Sequence, residues 1–178
     1  MSTTSSPPTL PTISSLNGCS DHDALAYLRT LFEAAPVLER YILTLRPWRD
    51  YSDIIDKSEL FVQSLLDEQR MEDAFAVLNA HPKIGADPKT LSADSRKEQG
   101  AAGSSDARVL ARLAELNAQY EQKFGFRFVV FVNGRSKEQI IPVIEQRMHN
   151  ALQEEMSTAM KAMMDIARDR LKKRVFVE

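Results

Sequence analysis

Large apolar residues recur at three- and four-residue spacing along most of this chain, the pattern of helices that each bury one face. Ser20-Asp21-His22-Asp23 offers N-cap residues, and Leu25, Leu28, Leu31 and Phe32 follow at helical period. Pro36 restarts the chain at a first-turn position, with Leu38, Tyr41, Ile42 and Leu45 as its stripe, and the Arg46-Pro47-Trp48 corner ends it. A longer helix is expected from Asp53 to Glu68 through Ile54, Ile55, Leu60, Phe61, Leu65 and Leu66, and another from Met71 to Ala80, stopping before Pro82. Helical period returns from Ser105 to Lys123, with Gly125 where a C-terminal cap belongs. Ser136 and Gln139 form a capping box that opens a helix running to Met148. Pro142 lies deeper than a first-turn proline should, which predicts distortion there. The last helix is expected over Leu152 to Lys173, with Met156, Met160, Met163 and Ile166 on a core-facing side.

Three stretches depart from this pattern. Met1 to Ser20 is rich in Ser, Thr and Pro, nearly uncharged and poor in large apolar residues, so it reads as a mobile tail, with residues 21–178 as the folded domain. His81 to Gly103 mixes Pro and Gly with few large apolar side chains, as in a long functional connection or a broken helix. Phe126-Arg127-Phe128-Val129-Val130-Phe131-Val132 is β-like, bounded by Gly125 and Gly134, yet has no obvious partner strand. A lone extended segment needs other partners for its backbone, and a ligand is one candidate.

Composition narrows the class. At 178 residues with 43% apolar and 27% charged residues, the chain fits one globular domain, and the helical periods above make it a single helical-bundle-like domain with one extended segment. A single cysteine, Cys19, excludes an internal disulfide, and it sits in the tail where a nucleophile is poorly positioned. The histidines are scattered and form no zinc pattern with it, so no metal is expected. A net charge of −2 argues against a nucleic-acid grip, and no apolar run approaches a membrane span.

Candidate chemistry sits in three blocks. His81 directly precedes Pro82, which pushes it out of the helical region, and imidazole exchanges protons near neutrality; a polar helix terminator is the plainer reading for a lone His. In Ser95-Arg96-Lys97-Glu98-Gln99, a helical turn would put Ser95, Glu98 and Gln99 on one face, while Gly100 and Gly103 would permit close backbone approach. Ser95 and Glu98 also have the form of a capping box. In Gln146-Arg147-Met148-His149-Asn150, Arg147 is either a helix-end cation or a fork for a substrate carboxylate, and His149 faces elsewhere. The basic run Arg168, Arg170, Lys172, Lys173, Arg174 reads as a solvated helix end.

Taken in order, His81-Pro82, Ser95-x-x-Glu98-Gln99-x-x-Ala102-Gly103, Tyr120-x-x-x-Phe124-Gly125-Phe126-x-Phe128-Val129 and Arg147-x-x-Asn150 resemble the OHCU decarboxylases, from about Asp23 to Leu171. That family acts on 2-oxo-4-hydroxy-4-carboxy-5-ureidoimidazoline, the last intermediate between urate and (S)-allantoin. The resemblance implies an all-α fold, often homodimeric, without cofactor or metal, whose extended stretch lines the substrate pocket. It implies that His81 is the catalytic histidine, Glu98 its carboxylate partner and Arg147 the active-site arginine. Pro82, Ser95, Arg96, Lys97, Glu98, Gln99, Val130, Phe131, Val132, Asn133 and Gly134 match substrate-contacting positions. Arg127 departs from the family pattern, where many relatives carry Pro. The pathway neighbours implied are urate oxidase and hydroxyisourate hydrolase.

Two functions stand side by side at this point: a carboxy-lyase of urate degradation, or a non-catalytic helical ligand-binding or interaction protein retaining the pocket. A cytoplasmic location is expected; the chain ends Phe176-Val177-Glu178 rather than in a peroxisomal tripeptide of the SKL type.

Overall fold

The computed structural model describes residues 9–100 and 106–178. Local capping sets most of the helix starts. Ser20 accepts from the Asp23 amide to open α2 (Asp21–Leu28), and Pro36 occupies the first turn of α3 (Pro36–Thr44). Asp50 caps α4 (Tyr51–Asp67) and Asp106 caps α7 (Ala107–Phe124), which ends on Gly125 in the left-handed region at φ 80°. The capping box between Ser136 and Gln139 is present at the start of α8 (Lys137–Arg147). Helix α8 runs through Pro142 without interruption, against the expected distortion. Pro142 lies on the exposed side, where a carbonyl lacking its helical donor meets water.

The remaining elements are α1 (Ile13–Gly18), α5 (Met71–Asn79), a 3-10 turn (Pro88–Thr90), α6 (Ala93–Gly100) and α9 (Leu152–Lys172). Helix α9 is the axis of the bundle, packed along α4 and touching α5, while α7 pairs with α8. Its Met156, Met160, Met163 and Met164 are buried, so the methionine stripe is core.

The expected tail needs correction. From Thr9 onward the segment is ordered: strand β1 (Thr9–Pro11) pairs in parallel with β2 (Val175–Val177), and α1 follows, capped by Thr12. Leu10 and Leu16 are fully buried, and each such leucine contributes about 1.5–3 kcal/mol of hydrophobic stabilisation. The Tyr51 hydroxyl donates to the Pro11 carbonyl at 2.9 Å. Two leucines and a strand partner at the far end of the chain order a segment that looks featureless locally. Residues 1–8 lie outside the described residues.

Among the described residues, the extended run 126–132 joins no sheet. Phe126 and Phe128 are buried against Tyr120, with ring centroids 5.6 and 5.1 Å away, which fixes the segment to α7. Side chains satisfy part of its backbone. The Arg127 amide donates to Asn79 Oδ1 at 2.9 Å, Arg147 donates to the Val129 carbonyl at 2.8 Å, and Arg135 donates to the carbonyls of Phe131 and Val132.

Candidate active site

The broken pattern after α5 and the extended run face each other across a cavity of about 320 Å³, within the range of small-molecule sites. One wall is His81, Pro82 and Ile84, a second is α6, a third is Phe128 to Gly134, and the C-terminal half of α9 closes the fourth. Phe128, Val130, Val132 and Ile166 make much of this surface apolar.

His81 is 5% exposed, and neither ring nitrogen has a hydrogen-bond partner among the described residues. Burial pulls its pKa down from 6.5 to about 4, the Arg170 charge adds to this, and Glu33 opposes it. The ring is therefore a neutral imidazole at pH 7, with both nitrogens unclaimed among the described residues.

Glu98 lines the cavity but is not joined to His81. Its two oxygens accept from Arg170 Nε at 2.8 Å and Arg170 Nη2 at 2.9 Å, a bidentate pair. Arg170 is 3% exposed and also donates to Ser95 Oγ at 3.0 Å and Glu33 Oε1 at 3.3 Å. Burial opposes its charge, but Glu98, Glu33 and Asp94 hold its pKa above the ordinary value. Glu33 receives the Ser95 and Ser92 hydroxyls at 2.6 and 2.7 Å. Burial alone would raise its carboxyl; those hydroxyls and Arg170 keep it below the usual range. The expected His81–Glu98 contact is thus replaced by a Glu33–Arg170–Glu98 cluster, centred on the buried Arg170, beside the histidine.

Helix α6 holds the other candidates in place. Ser92, not Ser95, takes the capping role, accepting from the Ser95 amide at 3.1 Å, which frees the Ser95 hydroxyl for Glu33. Gln99 accepts from the Gly85 amide at 2.9 Å and donates to the Lys83 carbonyl at 3.1 Å. Its amide therefore ties α6 to the segment after His81, and its backbone carbonyl accepts from Lys137 Nζ. Lys97 is exposed at the cavity and has no ion-pair partner among the described residues. Arg96 points away, donating to the carbonyls of Pro88 and Leu91. A side chain at Gly100 would meet nothing within 4 Å, so no close approach requires that glycine; Ala102 and Gly103 lie outside the described residues.

Of the other sequence candidates, Pro82 and Val130, Phe131, Val132, Asn133 and Gly134 all line the cavity. Asn133 at φ 47° and Gly134 at φ 74° turn the chain out of it. Arg147 does not line it. Its guanidinium donates to Glu155 Oε1 from Nε at 2.8 Å and from Nη2 at 2.5 Å, and stacks over Phe128 with Cζ 4.6 Å from the ring centre. The carboxylate it meets is internal: Glu155 has no exposed surface and also accepts from Tyr120 and Asn150. Arg147 thereby fixes the outer side of the wall.

Sequence reasoning missed Arg170 and Glu33. Arg170 falls in the run Met156, Met160, Met163, Ala167, Arg170, whose alternating steps of four and three mark the buried face. That period outweighs the basic company that made it look solvated. Glu33 carries no comparable local signal. Among the described residues, no three His, Cys, Asp or Glu side chains are grouped to hold a metal ion.

Residues 17–172 match the family model for OHCU decarboxylase. A 2-oxo-4-hydroxy-4-carboxy-5-ureidoimidazoline decarboxylase of Amia calva is 29% identical over 161 residues, covering 88% of this chain and 90% of that protein. A uric acid degradation bifunctional protein of Bacillus sp. (strain TB-90) is 28% identical over 158 residues; the match spans 88% of this chain but 30% of that longer protein. A crystal structure of OHCU decarboxylase in the presence of (S)-allantoin superposes with a TM-score of 0.64 at 24% identity, covering 87% of this chain and 97% of that one, a likeness of fold. A family match across nearly the whole folded domain, together with a helical bundle built around this cavity, places the chain in the OHCU decarboxylase family.

Proposed function

We propose that this protein decarboxylates 2-oxo-4-hydroxy-4-carboxy-5-ureidoimidazoline and delivers (S)-allantoin, without a cofactor. The observation that carries the reading is His81: a buried, neutral imidazole with both nitrogens unpartnered among the described residues, on the wall of a cavity sized for a small ring. A group in that state is a base awaiting a proton.

The substrate supplies its own electron sink, the ring C=N. His81 takes the proton of the substrate hydroxyl. The carbon–carboxylate bond breaks, carbon dioxide leaves, and the bonding pair passes into the C=N, whose nitrogen is protonated from water. The imidazolium then returns its proton to the ring carbon that becomes the stereocentre, and the hydroxyl carbon becomes a carbonyl. One histidine on one wall delivers that proton to one face, which fixes the product hand. An anionic substrate beside the ring raises its proton affinity during the cycle. Lys97 at the cavity attracts the incoming carboxylate, and the amides of Val130 and Val132, free of partners among the described residues, suit the ureido carbonyl.

The labile substrate must be generated in place, from urate with urate oxidase and hydroxyisourate hydrolase. Circular dichroism then follows the product. The expected result is acceleration of (S)-allantoin formation over the spontaneous racemic decay. No acceleration, with (S)-allantoin still raising the melting temperature, would instead make the protein a binding module.

A further inference from the structure

A catalytic histidine is usually aimed by a hydrogen bond on its second ring nitrogen. His81 has no such bond among the described residues, so its aim is set by its backbone and by packing. The local backbone anchor is weak: the His81 amide reaches the Leu78 carbonyl at 3.4 Å, and α5 ends on Ala80 rather than on a glycine. Pro82 fixes the torsion after it but donates nothing.

The clasp comes from the opposite wall. Arg127 Nη1 donates to the Asn79 carbonyl at 2.9 Å and to the His81 carbonyl at 3.1 Å, while the Arg127 amide donates to Asn79 Oδ1 at 2.9 Å. These three bonds join the end of α5 to the extended segment that lines the cavity. A cation over the last carbonyls of a helix is also favourable to the helix dipole. We infer that Arg127 is a positioning residue, which aims the His81 ring by holding its carbonyl and that of Asn79 against the facing wall.

This inference builds on the decarboxylase reading, and its test separates the two. Full-length wild type, Arg127→Met and Arg127→Lys are compared by initial rates, product hand, urea unfolding and the imidazole carbon–proton resonances of His81, assigned with His81→Asn. Small misplacements of a catalytic group cost up to about a hundredfold in rate. Arg127→Met is expected to lower kcat by about ten- to a hundredfold with KM within about twofold, and to reduce the (S) excess. It is also expected to shift or broaden the His81 resonances. Arg127→Lys, which keeps one donor, recovers part of the rate and of the product hand. Unchanged kcat and product hand, a rise in KM alone, or a rate loss that only follows the folded fraction would each overturn the inference. If the wild type itself fails to accelerate the reaction while Arg127→Met still perturbs the His81 resonances, the clasp stands and the decarboxylase reading falls.

Discussion

Replacing Arg147 with Met is expected to cost the fold far more than the chemistry. Glu155 is wholly buried, and Arg147 supplies two of its hydrogen bonds and its balancing charge; Asn150 at 2.8 Å and Tyr120 supply the rest. Stripping the cation from a buried pair leaves an uncompensated charge and costs about 3–5 kcal/mol. A domain of this kind has a total of about 5–15 kcal/mol, so the loss is a large fraction. With a urea slope of about 2 kcal/mol per molar, the midpoint should fall by about 2 M. The double variant Arg147→Met/Glu155→Met removes both charges and should recover most of that loss, since buried pairs are often replaceable by apolar residues of similar volume. Urea unfolding followed by far-ultraviolet circular dichroism reads all of these. A single variant that loses under about 1 kcal/mol of stability yet abolishes turnover would return Arg147 to the reacting centre and refute the reasoning.

Other outcomes follow from the same geometry. His81→Asn should abolish acceleration and flatten the acid sensitivity of the fold. With its folded pKa near 4 against 6.5 unfolded, the wild type keeps its full stability above about pH 6.5 and loses on the order of 3 kcal/mol as pH falls to about 4. Unfolding midpoints at pH 7 and pH 4.5 for both proteins check the difference. Lys97→Ala should raise KM a fewfold, leave kcat nearly unchanged and weaken the dependence of kcat/KM on salt, as removal of an exposed steering charge does; a fall in kcat alone would contradict that role. Leu10→Ala should cost about 2–5 kcal/mol, measured by urea unfolding, if β1 belongs to the core as its burial requires.

Elements whose information is local were legible in the sequence. Helices α4, α7 and α9 declare themselves by period, and Ser20, Ser136 and Gly125 mark ends by side-chain or backbone chemistry that acts within a turn. Leu60 shows the limit of period alone, since it joined the apolar stripe of α4 yet is 71% exposed. Serines at 92 and 95 both fit a cap, and only the contact of Ser95 with Glu33 decides between them. The cavity's position was implied by His81, by α6 and by the extended run, three stretches that helix packing did not explain. Its electrostatics were not, because Glu33, Glu98 and Arg170 meet from three separate parts of the chain. The two strands escaped for the same reason.

The pairing of β1 with β2 has a consequence for how the molecule is made. It places Thr9 beside Val175, so a strand synthesised near the beginning waits for one synthesised near the end. Until residues 175–177 have been made, Leu10 has no sheet to enter, and closing so long a loop is favoured once the helices between have condensed. The parallel sheet therefore closes over a domain whose helices are already in place, and β1 is held only once β2 has been made.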